Sequence, residues 1–510
     1  MSSQPELSTP NSTASPPGGL PDPSSRIRSS AGLYRSARIR SVFVRKGVCA
    51  VLLTVLILLT GCDYTSAPAD LLQAPAMAPD KQQLAEAVAA ALPAHSKLTL
   101  PYADDRLEAI RRIDLDGDGV EEAIVTYLNE FSTPELLIMK QSNNGSGWTA
   151  WAVINEPLVT GLIWLRIADL DDDGRKEILV GWSRSTGEAK LLAVYRLDEG
   201  QLNRDNEGIP VLQSVSGLDY AAAAVGDADG DGFVETAVVT ENANTQEQLL
   251  TVYKYRGGKL QPVSRLPLFN GVNGYHRLAV GKVAPDRYGI VAEGSVGAHS
   301  WYTSLIGWKD GRLVQIYPAP REWETAFNPY GVRSSDRNGD GIIELQRLKA
   351  APGQNASMAE TYFISEWLQW TGDEDQPFQL VAEEYTDYNY DFSIRIPNRW
   401  HNSYTISRPA ETQPYGLASF DYHNPETGAQ ATWWTLYAIP GENYADIEEE
   451  WQQNSRHYLF LREAGGIVYA ALFAGEPPEH WSDEEKEAYR ALIPDKEQLR
   501  SMFRLELAEQ

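Results

Sequence analysis

Short apolar stretches separated by glycine- and asparagine-rich breaks recur through the middle of the chain. Ala-Ile-Val-Thr-Tyr at 123–127 and Thr-Ala-Val-Val-Thr at 236–240 are two of them, and β-branched and aromatic residues favour strands. Breaks such as Asn143-Asn144-Gly145 and Gly257-Gly258 are typical of hairpins. The pattern predicts groups of four antiparallel strands between residues 105 and 385, the last group beginning near 329–334.

An acidic nine-residue loop precedes the second strand in four of these groups. Position 1 is Asp, positions 3 and 5 are Asp or Asn, position 6 is Gly and position 9 is Glu. A hard cation such as calcium requires this arrangement of oxygen donors on alternate residues, a sharp turn at glycine and a closing carboxylate. Position 7 would add its backbone carbonyl. The predicted ligands, for about four calcium ions, are Asp114, Asp116, Asp118, Val120, Glu122, Asp169, Asp171, Asp173, Arg175, Glu177, Asp227, Asp229, Asp231, Phe233, Glu235, Asp336, Asn338, Asp340, Ile342 and Glu344.

The loop begins like an EF-hand but ends differently. An EF-hand closes with Glu at position 12, whereas position 12 here is Val125, Val180, Val238 or Arg347. A strand follows each loop, so the simpler alternative is an Asp/Gly-rich hairpin turn that binds no metal. Four copies with the same donor positions favour the metal site.

The spacing of the loops predicts the architecture. Their first Asp residues are at 114, 169, 227 and 336, so the last interval is about twice the others. A degenerate copy with Lys282 in place of the first Asp fills the gap. Five units of four strands are the signature of a β-propeller.

These loops and their spacing resemble the FG-GAP/VCBS repeats of integrin-α-type β-propellers. The resemblance covers residues 105–385. It implies a mainly β fold, a five-bladed β-propeller in which Asp-rich loops bind calcium between the first two strands of a blade. It implies little about activity, because such repeats occur in adhesins and enzymes alike.

The N-terminal region predicts export. Residues 1–40 are rich in Ser and Pro and should not fold. Basic residues and the apolar run Gly47–Leu59 then form a signal-peptide pattern within 1–61. The run ends in Leu59-Thr60-Gly61-Cys62, which resembles a bacterial lipobox, so lipidated Cys62 is expected to anchor the exported protein to the membrane. A short buried helix is the alternative for the apolar run.

Two further segments flank the repeats. Residues 62–104 should be a tether and a short helix, since Leu84, Val88 and Leu92 share one helical face and Pro93 ends the pattern. Beyond 385 the repeat period stops. Mixed strand and helix patterns there predict a small α+β domain at 386–510.

Charge and cysteine content narrow the choice of partners. The formal net charge is −26, and nucleic-acid binding requires basic patches. Nucleic acid is therefore not an expected partner. Cys49 lies in the predicted signal and Cys62 would carry the lipid, so the mature chain would have no disulfide.

No catalytic motif is evident, and the chain is more consistent with a binding protein than with an enzyme. We expect a lipid-anchored, extracytoplasmic calcium-binding propeller with a non-catalytic ligand-binding or adhesion role. The alternatives are an enzyme acting on an envelope or extracellular polymer and a structural subunit of an envelope complex. Aromatic residues in predicted loops or at strand ends are candidate contacts for a glycan or protein ligand: Tyr275, Trp301, Trp323 and Phe327.

Overall fold

Antiparallel strands account for most of the computed structural model, which describes residues 79–104, 106–142, 147–185, 189–198, 202, 208–354, 357–373 and 375–506. Twenty-eight strands and four α-helices lie within these ranges, so the chain is mainly β as predicted. Ala78–Gln510 form one compact unit. The signal pattern and Cys62 lie outside the described residues.

Two sheets carry the first two acidic loops. The first contains β1 (Lys97–Leu98), β2 (Ile110–Ile113), β3 (Glu122–Leu128), β4 (Pro134–Gln141) and β5 (Trp148–Ile154). Its order is β1-β3-β4-β5, and β2 also pairs with β3. The second contains β6 (Gly161–Ala168), β7 (Glu177–Ser183), β8 (Lys190–Tyr195) and β9 (Ser216–Tyr220), in that order.

The next two sheets follow the same antiparallel order. The third contains β10 (Ala222–Gly226), β11 (Glu235–Glu241), β12 (Gln248–Arg256) and β13 (Lys259–Pro267). The fourth contains β14 (Gly274–Ala284), β15 (Arg287–Val296), β16 (Ser300–Lys309) and β17 (Arg312–Tyr317), and β18 (Phe327–Asn328) pairs with β16.

The fifth sheet departs from the predicted repeat. It contains β19 (Leu345–Ala350), β20 (Phe363–Trp370), β21 (Phe378–Asp387), β22 (Phe392–Ile396) and β28 (Phe503–Leu505), in that order. The first strand expected near 329–334 is reduced to the single bridge between Ser335 and Glu344. The C-terminal strand β28 instead extends the opposite edge, so the sheet continues past residue 385.

The remaining elements belong to the C-terminal part. Its sheet has the order β23-β24-β25-β27-β26. These strands are β23 (Tyr404–Ser407), β24 (Gly416–His423), β25 (Gln430–Pro440), β26 (Tyr458–Ala464) and β27 (Ile467–Phe473). The helices are α2 (Gly441–Gln453), α3 (Asp483–Leu492) and α4 (Lys496–Met502). This part of the chain therefore combines one sheet with three helices.

Alternation along the strands explains how consecutive sheets pack. Successive side chains point to opposite faces of a sheet, and both faces of these strands are apolar. In β7, Ile178 and Val180 join a buried cluster with the first sheet, whereas Leu179 joins a cluster with the third. Further clusters connect the third sheet to the fourth and the fourth to the fifth.

The five sheets pack one on the next in a row, and different elements cover the outer faces of the first and the fifth sheet. Helix α1 (Pro79–Ala91) buries Leu84 and Val88 against the outer face of the first sheet. The fifth sheet buries its outer face against the C-terminal part, in a cluster that includes Tyr385 and Trp434. Among the described residues, no buried cluster joins the first sheet to the fifth. The sheets are therefore of the propeller type, but they form an open row and not the closed ring that the sequence suggested.

Candidate metal centres

Each acidic loop is held by its own first carboxylate. Position 1 accepts a hydrogen bond from the backbone N–H of the glycine at position 6, over 2.8 to 3.2 Å, in all four loops. The position-6 glycines have φ between 84° and 87°, a left-handed conformation that favours glycine. The pairs are Asp114 with Gly119, Asp169 with Gly174, Asp227 with Gly232, and Asp336 with Gly341.

The glutamate at position 9 closes each loop from the start of the following strand or, in the last loop, just before it. All four glutamates are fully buried. One carboxylate oxygen accepts the backbone N–H of position 2 over 2.7 to 3.0 Å. These pairs are Leu115 to Glu122, Leu170 to Glu177, Ala228 to Glu235, and Arg337 to Glu344. The second oxygen of each glutamate is thereby left for the interior of the loop.

Two buried carboxylate oxygens in these loops accept no hydrogen bond among the described residues, namely Glu122 Oε1 and Asp171 Oδ1. Glu235 Oε1 forms an ion pair of 3.3 Å with Lys254 Nζ. Burial raises the pKa of Glu122 to about 7, and it raises the pKa of Glu177 to about 7 as well. A buried anionic oxygen without a partner is costly, so these loops contain acceptors that are suited to a cation.

The carboxylates converge in all four loops. Each group offers ligand atoms that lie within 4.8 Å of one another. The groups are Asp114, Asp116 and Glu122; Asp169, Asp171 and Glu177; Asp227, Asp229, Asp231 and Glu235; and Asp336, Asp340 and Glu344. Four sets of clustered hard oxygen donors could therefore hold metal ions.

Other predicted ligands have different surroundings. Asp118 and Asp173 lie outside these groups and form ion pairs with basic side chains. The backbone N–H groups at position 7, of Val120, Arg175, Phe233 and Ile342, donate to the position-5 carboxylates. Asn338 Nδ2 lies 3.0 Å from Asp340 Oδ2, so it donates to that carboxylate.

A side chain that sequence reasoning missed enters each cluster. Lys140, Arg196, Lys254 and Gln369 each contact carboxylates of the loop in their own sheet. Strand register explains this, because each lies one residue beyond the last ladder pair, opposite the position-9 glutamate. The sequence did carry a signal, since a basic residue follows that glutamate by 18 or 19 residues in three repeats (140 minus 122, 196 minus 177, 254 minus 235).

Neighbouring loops touch along one edge of the row. Lys176 donates its backbone N–H to Leu115 O and its Nζ to Asp114 O, both over 2.8 Å. In the fourth sheet the degenerate loop is a tight turn between β14 and β15, and Lys282 O accepts the N–H of Ile343 over 2.8 Å. The fourth sheet thus keeps the turn but has lost the donors, as the sequence indicated.

The candidate ligand-binding aromatics lie toward the other edge of the fourth sheet. Trp301 is the second residue of β16 and pairs with Asn328, and Trp323 is 45% exposed. The Trp323 ring lies 5.6 Å from that of Phe327, which is partly buried. Tyr275 is only 1% exposed and belongs to the core between the third and fourth sheets. Trp323 is therefore the most accessible of the four.

None of the described helices has both the length and the apolar character needed to cross a membrane.

Comparison with known proteins gives structural similarity only. The sequence matches no protein-family model and no curated protein. Solved structures similar to this chain include the Dos1 propeller, with 9% identity and a TM-score of 0.28 over 71% of this chain and 67% of that one. Another is Saccharomyces cerevisiae Sqt1, with 8% identity and a TM-score of 0.30 over 62% and 82%. A third is the exotype rhamnogalacturonan lyase YesX, with 14% identity and a TM-score of 0.27 over 62% and 74%.

Proposed function

We propose that this chain is a calcium-binding, extracytoplasmic protein whose first five sheets are blades of the FG-GAP/VCBS type. The observation that carries the proposal is the set of four converging carboxylate groups. Buried oxygens without hydrogen bonds, such as Glu122 Oε1, strengthen it. The role we propose is non-catalytic binding or adhesion, with the calcium ions holding one edge of the sheets in shape.

The donor chemistry favours calcium over other ions. Every donor is a carboxylate, an amide or a backbone carbonyl, and no His or Cys is present in the loops. Calcium takes six to eight such oxygens in flexible geometry, whereas magnesium requires near-ideal octahedral coordination. Soft ligands that would select zinc or copper are missing from these loops.

Thermal unfolding of the full chain tests the calcium proposal. A site that is ten-fold saturated contributes about 1.4 kcal/mol, so four sites contribute about 5–6 kcal/mol. Excess chelator should lower the melting temperature by several degrees or more, and calcium should restore it better than magnesium. An identical melting curve with and without chelator would contradict the proposal.

A matched pair of variants assigns the effect to the loops. Asp227→Asn removes the carboxylate that should both bind the ion and hold Gly232. Asp286→Asn makes the same change at an exposed position of the degenerate loop. Only the first should reduce the number of bound calcium ions measured by titration calorimetry.

The second part of the proposal is that a ligand binds at the edge of the fourth sheet that lies away from the acidic loops. Trp323 offers an exposed ring supported by Phe269, at 6.2 Å, and by Phe327. Exposed aromatic rings suit glycan or peptide contacts. Trp323→Ala should abolish binding in a glycan and peptide screen without altering the calcium-dependent melting, whereas Phe460→Ala at another exposed ring should not. If ligand binding depended on the acidic loops instead, the ligand would bind at the edge that carries these loops and the proposal would be wrong.

Membrane anchoring by Cys62 is the third part. The proposal rests on the lipobox-like Leu59-Thr60-Gly61-Cys62. Cys62→Ser should eliminate metabolic labelling with a fatty acid and release the protein from the membrane fraction. Equal labelling of wild type and variant would refute it.

A further inference from the structure

A basic side chain reaches into three of the four carboxylate groups. Lys254 Nζ lies 2.9 Å from Asp229 Oδ2 and 3.3 Å from Glu235 Oε1, and it also contacts Asp231. Arg196 Nη1 lies 2.9 Å from Asp171 Oδ2 and 3.3 Å from Glu177 Oε1. Lys140 Nζ lies 2.5 Å from Asp116 Oδ2 and 3.4 Å from Asp118 Oδ2.

These nitrogen atoms occupy the region where an ion would bind. Lys254 Nζ approaches three carboxylates of one group, and calcium would have to lie about 2.3–2.6 Å from the same oxygens. An ammonium group and a calcium ion that shared these oxygens would lie close to each other and would repel each other. The two cations therefore compete for the same oxygens.

The last loop lacks the cation and also lacks one acid. Gln369 Nε2 donates to Asp340 Oδ2 over 2.9 Å and to Glu344 Oε1 over 3.2 Å. Among the described residues, no Lys or Arg forms an ion pair with the three carboxylates of this group. In the first three loops the side chains at positions 1, 3, 5 and 9 are four carboxylates, and one cation contacts them. In the last loop they are Asn338 and three carboxylates, so these four side chains together with any contacting cation have a formal charge of −3 in every loop.

We propose that Lys140, Arg196 and Lys254 are tethered counter-ions that compete with calcium, and that Gln369 leaves its site free of this competition. This inference rests on the proposed calcium function and specifies how that function is regulated. Without calcium the tethered cation neutralises part of the cluster and keeps the loop folded. With calcium the side chain must move away from the carboxylates.

Exchange of the tethered cation for calcium makes three of the loops responsive to calcium concentration without requiring them to unfold. Charge-assisted hydrogen bonds between the cation and the carboxylates have to be broken before the ion enters. Replacing the cation with a neutral side chain of similar length removes this cost. It also leaves the calcium-free loop with uncompensated charge.

Lys254→Gln in the full chain tests the inference. Titration with calcium should show one site whose affinity rises about ten-fold or more, the factor expected for losing charged hydrogen bonds. In excess chelator the variant should melt below wild type, and its calcium-induced rise in melting temperature should be larger. Lys259→Gln, at an exposed position of the same hairpin, should change neither quantity.

The reverse substitution provides an independent test. Gln369→Lys should lower calcium affinity at one site by a similar factor. Unchanged or weaker calcium binding by Lys254→Gln, in a protein whose wild type binds four ions, would overturn the inference and leave the proposed function intact. If neither wild type nor variant bound calcium, both would fail, whereas binding by the variant alone would support the competition directly.

Discussion

Asp421 is a buried carboxylate in the C-terminal part, and its hydrogen-bond partners are neutral. Ser407 Oγ donates to Oδ2 over 2.7 Å and Gln430 Nε2 over 2.8 Å, whereas Oδ1 accepts no hydrogen bond among the described residues. Burial raises the pKa of Asp421 above its ordinary value. The folded state therefore favours the protonated form, and ionisation reduces stability as the pH rises through the folded-state pKa.

Asp421→Asn should remove this pH-dependent loss. Asparagine retains an acceptor oxygen for Ser407 and Gln430 but carries no charge. We expect the variant to be more stable than wild type at pH 7, because the folded state of wild type disfavours the ionised carboxylate, and the difference to become smaller toward pH 4. Melting temperatures across this range measure it, with exposed Asp446→Asn as the control. A constant difference at all pH values would contradict the explanation.

At the residue scale, the candidate metal ligands could be predicted because each set lies within nine consecutive residues. Their spacing alone specifies the donors, the turn and the closing acid, and the structure brings most of them together. Lys254 was missed because its approach to Glu235 depends on the register of β11 with β12. The burial of Tyr275 likewise depends on packing between two sheets, which a loop-like sequence pattern does not reveal.

Helix α1 is the element whose role can be tested most directly. It covers the outer face of the first sheet, where Leu84 and Val88 are 5% and 3% exposed. Leu84→Ala should destabilise the protein by about 2–5 kcal/mol, because a buried leucine leaves a cavity when truncated. Denaturant unfolding measures the change, and Gln83→Ala on the exposed side is the control. Equal stability of the Leu84 variant and wild type would show that the helix does not seal this face.

Local patterns predicted this helix but not the fifth sheet. The spacing of Leu84 and Val88 predicts a helix before Pro93, since it depends only on the period of a single element, and the helix spans Pro79–Ala91. The fifth sheet instead recruits β28, whose Phe503 pairs with Ile394 across more than a hundred residues. No short-range periodicity carries information about such a pairing.

At the scale of the whole molecule, an open row of sheets requires a cover at each end. An exposed apolar sheet face would be prone to association, and a ring avoids this by packing its last sheet on its first. Here Arg337 of the last acidic loop forms an ion pair of 2.7 Å with Glu384 of the fifth sheet, and its ion pair of 2.6 Å with Glu506 connects the loop to the C-terminal segment. The C-terminal part therefore acts as the structural end of the row, whatever further role it has.

Because one buried cluster spans the fifth sheet and the C-terminal part, we expect the two to unfold together. Phe420 stacks on Trp434 with centroids 4.1 Å apart and also contacts Tyr385 of the fifth sheet. Phe420→Ala should cost about 3–5 kcal/mol and should reduce hydrogen-exchange protection in β20 as well as in β24. Phe460→Ala, at a ring that is 42% exposed, should affect neither strand. Loss of protection confined to β24 would mean that the C-terminal part folds as an independent domain and does not stabilise the end of the row.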